Sequence, residues 1–397
     1  MTQSKQRKAI IITLLVFAGM FLGNYGLYQM AAIPSQVYEA YQLNDTQFSS
    51  AMTAPMVPAI FFSILLGVFA DRFGIKRLAS FCAILGMAGY ALRWLGNSYA
   101  MLYVGMFLTG FLVTVFNTNV SKIASALYPP EKVATIVGIL MTGSTASMAV
   151  AYGTTAFFPS MNTAFAFTAI ATGILVVLWI FCVRQKDFEA NAPTEAAEEI
   201  PIRKGIMTAV KSKNVWLMGL ALAAMLGGAT VISNFQVVYL VSHRNYSEAV
   251  AGTFGTVLMV GAIIGSVGIP MFISKIKNPG VFLLAITLIA GACTAGMVIL
   301  PVAGVYVASF LNGFLRSGAI SLAMVFPVMF PEIGPRYAGT ATGVASTIQL
   351  FGAVVIPTYV IIPLAGGNME AYFYWGAAFF AISAVLLYIL GRKLKFN

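Results

Sequence analysis

Long apolar runs separated by short polar stretches cover almost the whole chain of 397 residues. Each run has about 20 residues, the length that an α-helix needs to cross the hydrocarbon core of a bilayer. The runs lack the alternation of apolar and polar positions that marks the strands of a membrane barrel. The pattern predicts an all-α membrane protein with twelve transmembrane helices. We expect the spans at 9–31, 49–70, 78–96, 99–128, 134–158, 164–183, 215–241, 249–274, 280–301, 303–330, 338–364 and 371–391.

The composition agrees with a chain that lies almost entirely in the membrane. Charged residues make up 9% of the sequence, whereas an ordinary soluble protein has about 25%. The polar stretches between the runs are too short for a separate soluble domain. The first apolar run has no convincing cleavage site, so we expect it to be retained as the first span.

The basic residues are distributed very unevenly between the two sides of the predicted membrane. If the N-terminus is cytoplasmic, 19 of the 23 lysines and arginines lie in cytoplasmic segments, three lie within spans and only Arg244 lies outside. This asymmetry predicts cytoplasmic N- and C-termini in a plasma or inner membrane. It also accounts for the net charge of +11, so we expect the lipid bilayer as a partner and no nucleic acid.

One polar segment of mixed charge divides the chain into two sets of six spans. We expect residues 1–183 to form an N-terminal half, 184–214 a cytoplasmic linker and 215–397 a C-terminal half. A plain solvated connector is the favoured interpretation of the linker. The alternative is a linker that is partly disordered and partly an amphipathic helix along the membrane surface.

The two halves resemble each other in sequence. FLTGFL at 107–112 matches FLNGFL at 310–315, and further short matches occur in the same order with offsets of 201 to 205 residues. The repeat predicts two pseudo-symmetric six-helix halves. Parallel halves related about the membrane normal are typical of transporters whose substrate site lies near the midplane.

Three charged residues fall inside the predicted spans, and all three are positive: Arg93, Lys122 and Arg316. Arg316 follows Gly304 by 12 residues and precedes Pro331 by 15, about 18 and 22 Å along a helix. A central charge costs about 2.5–3.5 kcal/mol on insertion scales, and no acidic residue falls within the predicted spans. A guanidinium binds a carboxylate or similar planar oxyanion through two parallel bonds, so we expect Arg316 to bind an anion. The alternative is a structural arginine that backbone carbonyls or neighbours such as Asn312 satisfy.

Lys122 and Arg93 lie nearer to the ends of their spans. Lys122 shares a helical face with Asn119, which suggests a polar cavity wall, but the lysine is only about 10 Å from the cytoplasmic end and can snorkel there. These two interpretations stay open. Arg93 lies beside Trp94 near the outer end of its span, and we expect it to snorkel to the surface.

A loop motif follows the second span. The stretch Gly67-Val68-Phe69-Ala70-Asp71-Arg72-Phe73-Gly74-Ile75-Lys76-Arg77 resembles the loop motif of the major facilitator superfamily of secondary transporters and departs from it at Ile75. Together with the span number and the repeat, the resemblance covers nearly the whole chain. It implies transport by alternating access and a tenth helix that lines the cavity. The motif residues expected at a cytoplasmic gate are Gly67, Asp71, Arg72, Gly74, Lys76 and Arg77.

The gate has a physical interpretation. The Asp71 carboxylate can accept hydrogen bonds from the N-terminus of a neighbouring helix, and the start of the eleventh span near 337–339 is the candidate. The alternative is that the basic residues only set topology, with Asp71 as their local partner.

The resemblance also implies which helices line the cavity. Polar side chains at comparable depth in the first, seventh and eleventh spans are candidates, although each one alone is better explained as an ordinary interhelical hydrogen bond. Ser233, Gln236 and Thr347 are among these side chains. The predicted substrate-binding set is Arg316, Lys122, Asn119, Asn312, Asn24, Tyr25, Tyr28, Gln29, Asn234 and Gln349.

Missing features narrow the function. The fifth span lacks the Gly-Pro motif of drug–proton antiporters, and no membrane-embedded acid is available as a proton carrier. The chain most resembles members of the superfamily for small carboxylates or for nitrate and cyanate, and the carboxylate interpretation leads. Transport of a neutral solute or nucleoside, or a membrane sensor, are the alternatives.

No catalytic or metal-binding cluster is found in the sequence. The three cysteines lie in different spans and there is one histidine, so we expect neither an enzyme, a metal site nor a cofactor. No ATP-binding loop is present. An ion gradient or a counter-substrate must therefore drive a protein that we expect to be a monomer, by symport or antiport.

Overall fold

The computed structural model describes residues 3–188, 202–272, 276, 278–392 and 394. Within these residues, twelve helices are long and apolar enough to cross a membrane, and the fold is the predicted all-α one. The spans are Lys5–Ala32, Asp45–Phe73, Ile75–Leu95, Tyr99–Leu127, Pro130–Phe157, Met161–Cys182, Lys213–Arg244, Glu248–Met271, Pro279–Ile299, Val302–Met329, Gly334–Ala365 and Met369–Gly391. The middle of the predicted linker, residues 189–201, and the basic residues Lys275, Lys277, Lys393 and Lys395 lie outside the described residues.

Several spans begin earlier than the apolar pattern predicts, because a polar capping turn precedes the apolar run. The second span starts at Asp45 rather than 49. Asn44 caps it by accepting a hydrogen bond from the Gln47 amide (2.9 Å), and the Gln47 side chain accepts one from the Asn44 amide (3.0 Å). Side-chain caps of the same kind start other spans, at Ser98, Ser160, Ser212, Ser247, Asn278 and Asn368.

Four spans change helix geometry along their length, and in the fifth the helix Pro130–Thr154 ends in a 3₁₀ turn at Thr155–Phe157. The second consists of Asp45–Thr53 and Met56–Phe73, with Pro55 between them, and the tenth consists of Val302–Ala323 followed by a 3₁₀ turn at Phe326–Met329. In the eleventh, the helix Gly334–Val355 continues as a π-helical stretch at Ile356–Ile361 and a last turn, Ile362–Ala365. Proline lies in both of these last segments, where it removes a backbone donor.

The chain divides into two compact units, residues 1–196 and 197–397. The core of the first unit is built around fully buried aromatic side chains, with the ring of Phe116 packed edge-on against that of Trp179. In the second unit the seventh span is extensively buried. Gly219 and Gly227 on this span lie so close to Ile348 and Ile356 of the eleventh that a side chain would not fit.

The internal repeat has the same backbone features at matching places in each unit. Gln42 and Asn245, 203 positions apart, both have left-handed backbone conformations after a helix. A Cβ atom on Gly110 would overlap the carbonyl oxygen of Pro55, and one on Gly313 would overlap that of Leu258. Both partners in this second contact lie 203 positions beyond those in the first, so each half repeats the same close approach of two helices.

A short helix, Ile202–Lys211, precedes the seventh span within the predicted linker. A 3₁₀ turn, Gln185–Phe188, follows the sixth span, and its Asp187 forms an ion pair with Lys8 of the first span (2.7 Å). The part of the linker that the structure describes is therefore folded rather than a plain connector, since both of its ends are packed against their own halves.

Candidate functional site

Arg316 lies near the middle of the tenth span and is 7% exposed. The position of its helix is determined by contact with the eighth span. Side chains on Gly265 or Gly313 would overlap carbonyl oxygens of the facing helix, at Phe314 and Leu258. Such close backbone packing through small residues holds membrane helices in one register. Gly261 of the eighth span has a contact of the same kind, with the carbonyl oxygen of Phe310.

Ser309 and Asn312 lie on the same helical face as Arg316, two turns and one turn before it, respectively. Asn312 donates its amide hydrogens to the Ala290 carbonyl (2.9 Å) and to Thr294 Oγ1 (3.0 Å) of the ninth span. Ser309 Oγ accepts a hydrogen bond from Gln236 Nε2 of the seventh span (2.7 Å). Side-chain hydrogen bonds thus join the seventh, ninth and tenth spans within the two helical turns that precede Arg316.

The other candidates of the second unit are buried in the seventh and eleventh spans. Asn234 is 2% exposed and Gln349 is 8% exposed. Ser233 is also buried, and Thr347 donates its hydroxyl hydrogen to the Gly343 carbonyl of its own helix (3.0 Å). Gln236 joins two helices of this unit, as the ordinary interhelical interpretation predicted, and Asn312 of the tenth span also joins two helices.

Lys122 forms an ion pair with Asp71. Its Nζ lies 2.7 and 2.8 Å from the two carboxylate oxygens and also donates to the Gly67 carbonyl at 3.1 Å. The expectation that no acid lies within the spans was wrong here, because the second helix continues past Asp71 to Phe73. Both side chains remain partly open to solvent, 41% exposed for the lysine and 68% for the aspartate.

The neighbouring Asn119 bonds within its own helix, where its Nδ2 donates to the Val115 carbonyl (2.9 Å). The hydroxyl of Ser125, on the same stripe, likewise donates to the Lys122 carbonyl (3.1 Å). Both hydrogen bonds stay within the fourth span and do not join it to another helix. The role of Asn119 in substrate binding stays a prediction.

Arg93 is completely buried, so the expectation that it snorkels to the surface was wrong. Its guanidinium donates to the Gly26 carbonyl and to Gln29 Oε1 (2.8 Å), and it lies 4.0 Å from the ring centre of Phe165. The Tyr41 hydroxyl donates a hydrogen bond to the backbone carbonyl of Arg93 (2.6 Å). The guanidinium is therefore turned inward, where a carbonyl, an amide oxygen and an aromatic face replace water.

The candidates of the first span have partners within their own unit. Gln29 donates to the Ala164 carbonyl (2.9 Å) and accepts from Arg93 and from Thr168 (2.7 Å). Asn24 donates to the Met20 carbonyl (2.9 Å). The Tyr25 hydroxyl lies 3.0 Å from Thr154 Oγ1, and the ring of Tyr28 packs edge-on against Tyr152. Gln29 thus joins the first, third and sixth spans.

The motif loop is held from one side by the segment after the sixth span. Gly74 has a positive φ of 86°, which favours glycine, and the Lys76 amide donates to Gln185 Oε1 (3.2 Å). The Arg72 guanidinium lies over the ring of Phe73 (5.4 Å), and Arg77 is exposed. A Cβ on Gly67 would lie 3.6 Å from Thr118, an ordinary van der Waals contact. The Gly67 carbonyl accepts a hydrogen bond from Lys122 Nζ.

Of the three cations predicted within spans, the structure thus gives Arg93 a structural position and Lys122 an ion pair at the motif loop. Sequence reasoning missed both arrangements. The sequence feature that could have indicated the ion pair of Lys122 is Asp71, at the end of the second apolar run. No feature of the sequence pointed to Gln29 as the hydrogen-bond acceptor of Arg93. No cluster able to hold a metal ion occurs among the residues that the structure describes.

Comparison with known proteins identifies a family and a set of relatives. The sequence model of the Major Facilitator Superfamily matches residues 9–357. The 2-nitroimidazole transporter of Escherichia coli (strain K12) is 24% identical over 369 residues, which are 91% of this chain and 89% of that protein. Solute carrier family 2, facilitated glucose transporter member 10, of Danio rerio is 25% identical over 149 residues. That match spans 38% of this chain and only 29% of the glucose transporter.

Solved structures share the fold over nearly the whole chain. A bacterial homolog to the human lysosomal transporter Spinster, in an inward-facing and unoccupied conformation, superposes with a TM-score of 0.79 and 14% identity, covering 100% of this chain and 99% of its own. The nucleoside transporter NupG gives a TM-score of 0.74 at 13% identity, covering 96% of this chain and 98% of its own. At these identities the likeness concerns the fold alone.

Proposed function

This chain belongs to the Major Facilitator Superfamily and is therefore a secondary transporter rather than an enzyme, and we propose that Arg316 binds the carboxylate group of its small organic substrate. The observation that supports the proposal is a permanent positive charge, 7% exposed, near the middle of the tenth span. The spans of the second unit carry acidic residues only in first turns, at Glu248 and Glu370. An anionic substrate would bring negative charge to a depth where these helices have no acid.

The chemistry of the guanidinium favours a planar pair of oxygen atoms. Its N–H groups form a rigid fork that matches a carboxylate through two parallel hydrogen bonds, and its charge persists at any physiological pH. Ser309 and Asn312 add polar groups to the same helical face, where they also hydrogen-bond to the seventh and ninth spans. Binding of an anion in this position would combine charge with orientation, which a point charge on a lysine would not supply.

A second candidate is a neutral nitro-substituted heterocycle. The relative that resembles this chain over 91% of its length is a 2-nitroimidazole transporter. A nitro group also presents two coplanar oxygen atoms with partial negative charge, so the same guanidinium fork would suit it. The two candidates therefore share the role of Arg316 and differ in the net charge of the substrate.

The remaining functional assignments belong to the same proposal. The transporter works as a monomer in a plasma or inner membrane, with both termini in the cytoplasm. It moves its substrate by symport or antiport, driven by an ion gradient or a counter-substrate. Asp71 and Lys122 belong to the cytoplasmic gate. In addition to its ion pair with Lys122, we propose that the Asp71 carboxylate accepts hydrogen bonds from the N-terminus of the eleventh span.

Binding of three imidazoles with matched rings to the purified protein tests the proposal. We would compare imidazole-2-carboxylate, 2-nitroimidazole and imidazole-2-carboxamide by calorimetry on the wild type, Arg316→Lys, Arg316→Gln and the exposed control Arg392→Gln. The carboxylate should bind best, and Arg316→Gln should weaken it at least about 30-fold, because truncating a buried charge pair costs roughly 2–5 kcal/mol. Arg316→Lys should recover only part of the affinity, and Arg392→Gln should bind normally.

The same panel separates the two candidates. Preference for 2-nitroimidazole over the carboxylate, still dependent on Arg316, would assign the nitro substrate. Equal affinity of wild type and a folded Arg316→Gln for whichever compound binds would refute a binding role for Arg316. Melting temperatures of all variants show whether each is folded.

A further inference from the structure

The helix at Ile202–Lys211, here called the linker helix, is packed on one side only. Gly205 and Ala209 are buried, and a Cβ on Gly205 would lie 3.0 Å from Thr340 Oγ1 of the eleventh span. The opposite side carries Met207 and Val210, which are 45% and 44% exposed. An exposed apolar face on a helix attached to a membrane span requires an apolar environment to cover it.

The depth of the linker helix follows from Trp216. This residue lies in the first turn of the seventh span, is 43% exposed, and donates its indole N–H to the Val210 carbonyl at 2.8 Å. Tryptophan at the end of a membrane helix occupies the headgroup region, where its ring is apolar and its N–H is polar. Thr340, which faces Gly205, lies six residues into the eleventh span, about 9 Å along the helix. The linker helix therefore lies at headgroup depth, and its exposed apolar face continues into that of Trp216.

The charges carried by the linker helix and the first turn of the seventh span are all positive. Lys204, Lys211 and Lys213 are exposed, and residues 202–216 include no aspartate or glutamate. A cluster of lysines beside an apolar face at headgroup depth attracts anionic lipid, by about fivefold in local concentration for each lysine.

The corner between the linker helix and the seventh span is tied to the loop before the eleventh span. Ser212 Oγ and Asn214 Nδ2 donate to Glu332 Oε1 at 2.5 and 3.0 Å. Burial alone would raise the pKa of Glu332, but the hydrogen bonds from Ser212, its own backbone and Asn214 outweigh it, and the pKa is lowered from its ordinary value. The carboxylate therefore stays ionised and holds the linker helix beside the start of the eleventh span at neutral pH.

We propose that the linker helix is a binding surface for anionic lipid, formed by Lys204, Met207, Val210, Lys211, Lys213 and Trp216. The apolar side chains enter the boundary between headgroups and acyl chains, and the three lysines bind phosphate groups of the leaflet. Because the same helix contacts Thr340 and is tied to Glu332, lipid bound here stabilises one position of the start of the eleventh span. Lipid binding at this surface does not depend on which substrate the transporter carries.

A fluorophore on the linker helix tests this. Met207→Cys, made on a Cys182→Ser background because Cys182 is exposed, would carry an environment-sensitive dye in nanodiscs of phosphatidylcholine. Spin-labelled phosphatidylglycerol or spin-labelled phosphatidylcholine then quenches the dye. We expect both lipids to quench, with phosphatidylglycerol effective at a lower fraction. Replacing all three lysines with glutamine should lower this preference about 100-fold, replacement with arginine should retain it, and 1 M salt should reduce it because the Debye length falls to about 3 Å.

The controls decide between lipid and other occupants. The triple variant Lys132→Gln, Lys186→Gln and Arg392→Gln removes three exposed positive charges elsewhere and should retain the preference for phosphatidylglycerol. Absence of quenching by either lipid would show that water or protein covers the face and would overturn the proposal. Equal quenching by both lipids, or competition by millimolar glycerol phosphate, would overturn the anionic-lipid assignment.

Discussion

Three cations within the membrane spans have three different environments. Arg93 is buried against a carbonyl, an amide oxygen and two aromatic rings, and Lys122 faces a carboxylate at a partly open position. Arg316 lies deep in the tenth span. Because the cost of burying a charge depends on what replaces its water, the same residue type serves structure in one place and is proposed to serve binding in another.

Substitution at Arg93 should damage folding rather than binding. Arg93→Gln removes the bonds to Gly26 and Gln29 and leaves their oxygens buried, so we expect a loss of roughly 2–4 kcal/mol and a lower melting temperature. Thermal unfolding in detergent measures it, with Arg316→Gln as the matched arginine in the other half. A wild-type melting temperature for Arg93→Gln would contradict a structural role.

The ion pair between Asp71 and Lys122 should matter more for transport than for stability. Since both side chains are partly exposed, the pair should contribute less than about 1 kcal/mol to folding. Asp71→Asn and Lys122→Gln should each slow turnover in proteoliposomes while binding affinity in detergent stays near that of the wild type. Unchanged turnover in both single variants at equal reconstitution would show that the pair has no part in a gate.

Helix contacts, rather than individual side chains, determine where Arg316 lies. The eighth and tenth spans approach so closely at Gly265 and Gly313 that a methyl group would meet backbone atoms, which cannot move aside as a flexible side chain can. The first half has the corresponding contact at Gly110. Such glycines therefore determine the distance between two helices rather than the position of one side chain.

Adding one methyl group distinguishes these glycines from others. Gly313→Ala should separate the eighth and tenth spans and lower the melting temperature by many degrees. Gly138→Ala, where a Cβ would meet nothing within 4 Å, should be neutral or stabilising by up to about 1 kcal/mol, as glycine is a poor helix former. Equal melting temperatures of the two variants would show that the close contact tolerates a side chain.

The whole molecule consists of two units that repeat the same construction. The left-handed caps and the glycine contacts recur at the same spacing in each half. Each half has six spans, and an even number of crossings would return the chain to the side on which it began. The positive-inside distribution then predicts which side that is.

Cysteine labelling measures this topology. With Cys182 and Cys293 replaced by serine and Cys82 left buried, cysteines introduced one at a time at Asn97 and Tyr246 should react with a membrane-impermeant maleimide added to intact cells. A cysteine at Ala192, outside the described residues, should react only after lysis. Labelling at 192 in intact cells would reverse the proposed orientation.

Sequence alone determined the fold class, the number of spans, the repeat and the superfamily. These follow from the transfer free energies of successive residues and from a motif that is contiguous in the chain, so no knowledge of helix packing is needed. The span starts were less accurate, because capping residues such as Asn44 are polar although they belong to the helix.

The environment of each charge was decided only by tertiary structure. The partners of Arg93 are 64 and 67 positions away in the chain, and Asp71 is 51 positions from Lys122. Whether such groups meet depends on the rotation and depth of packed helices, which contacts such as that between Gly89 and Gly105 determine. A hydropathy profile predicts how deep in the membrane a residue lies, but it does not predict the direction in which the side chain leaves its helix. For this reason Arg93 was expected at the surface and is found in the core.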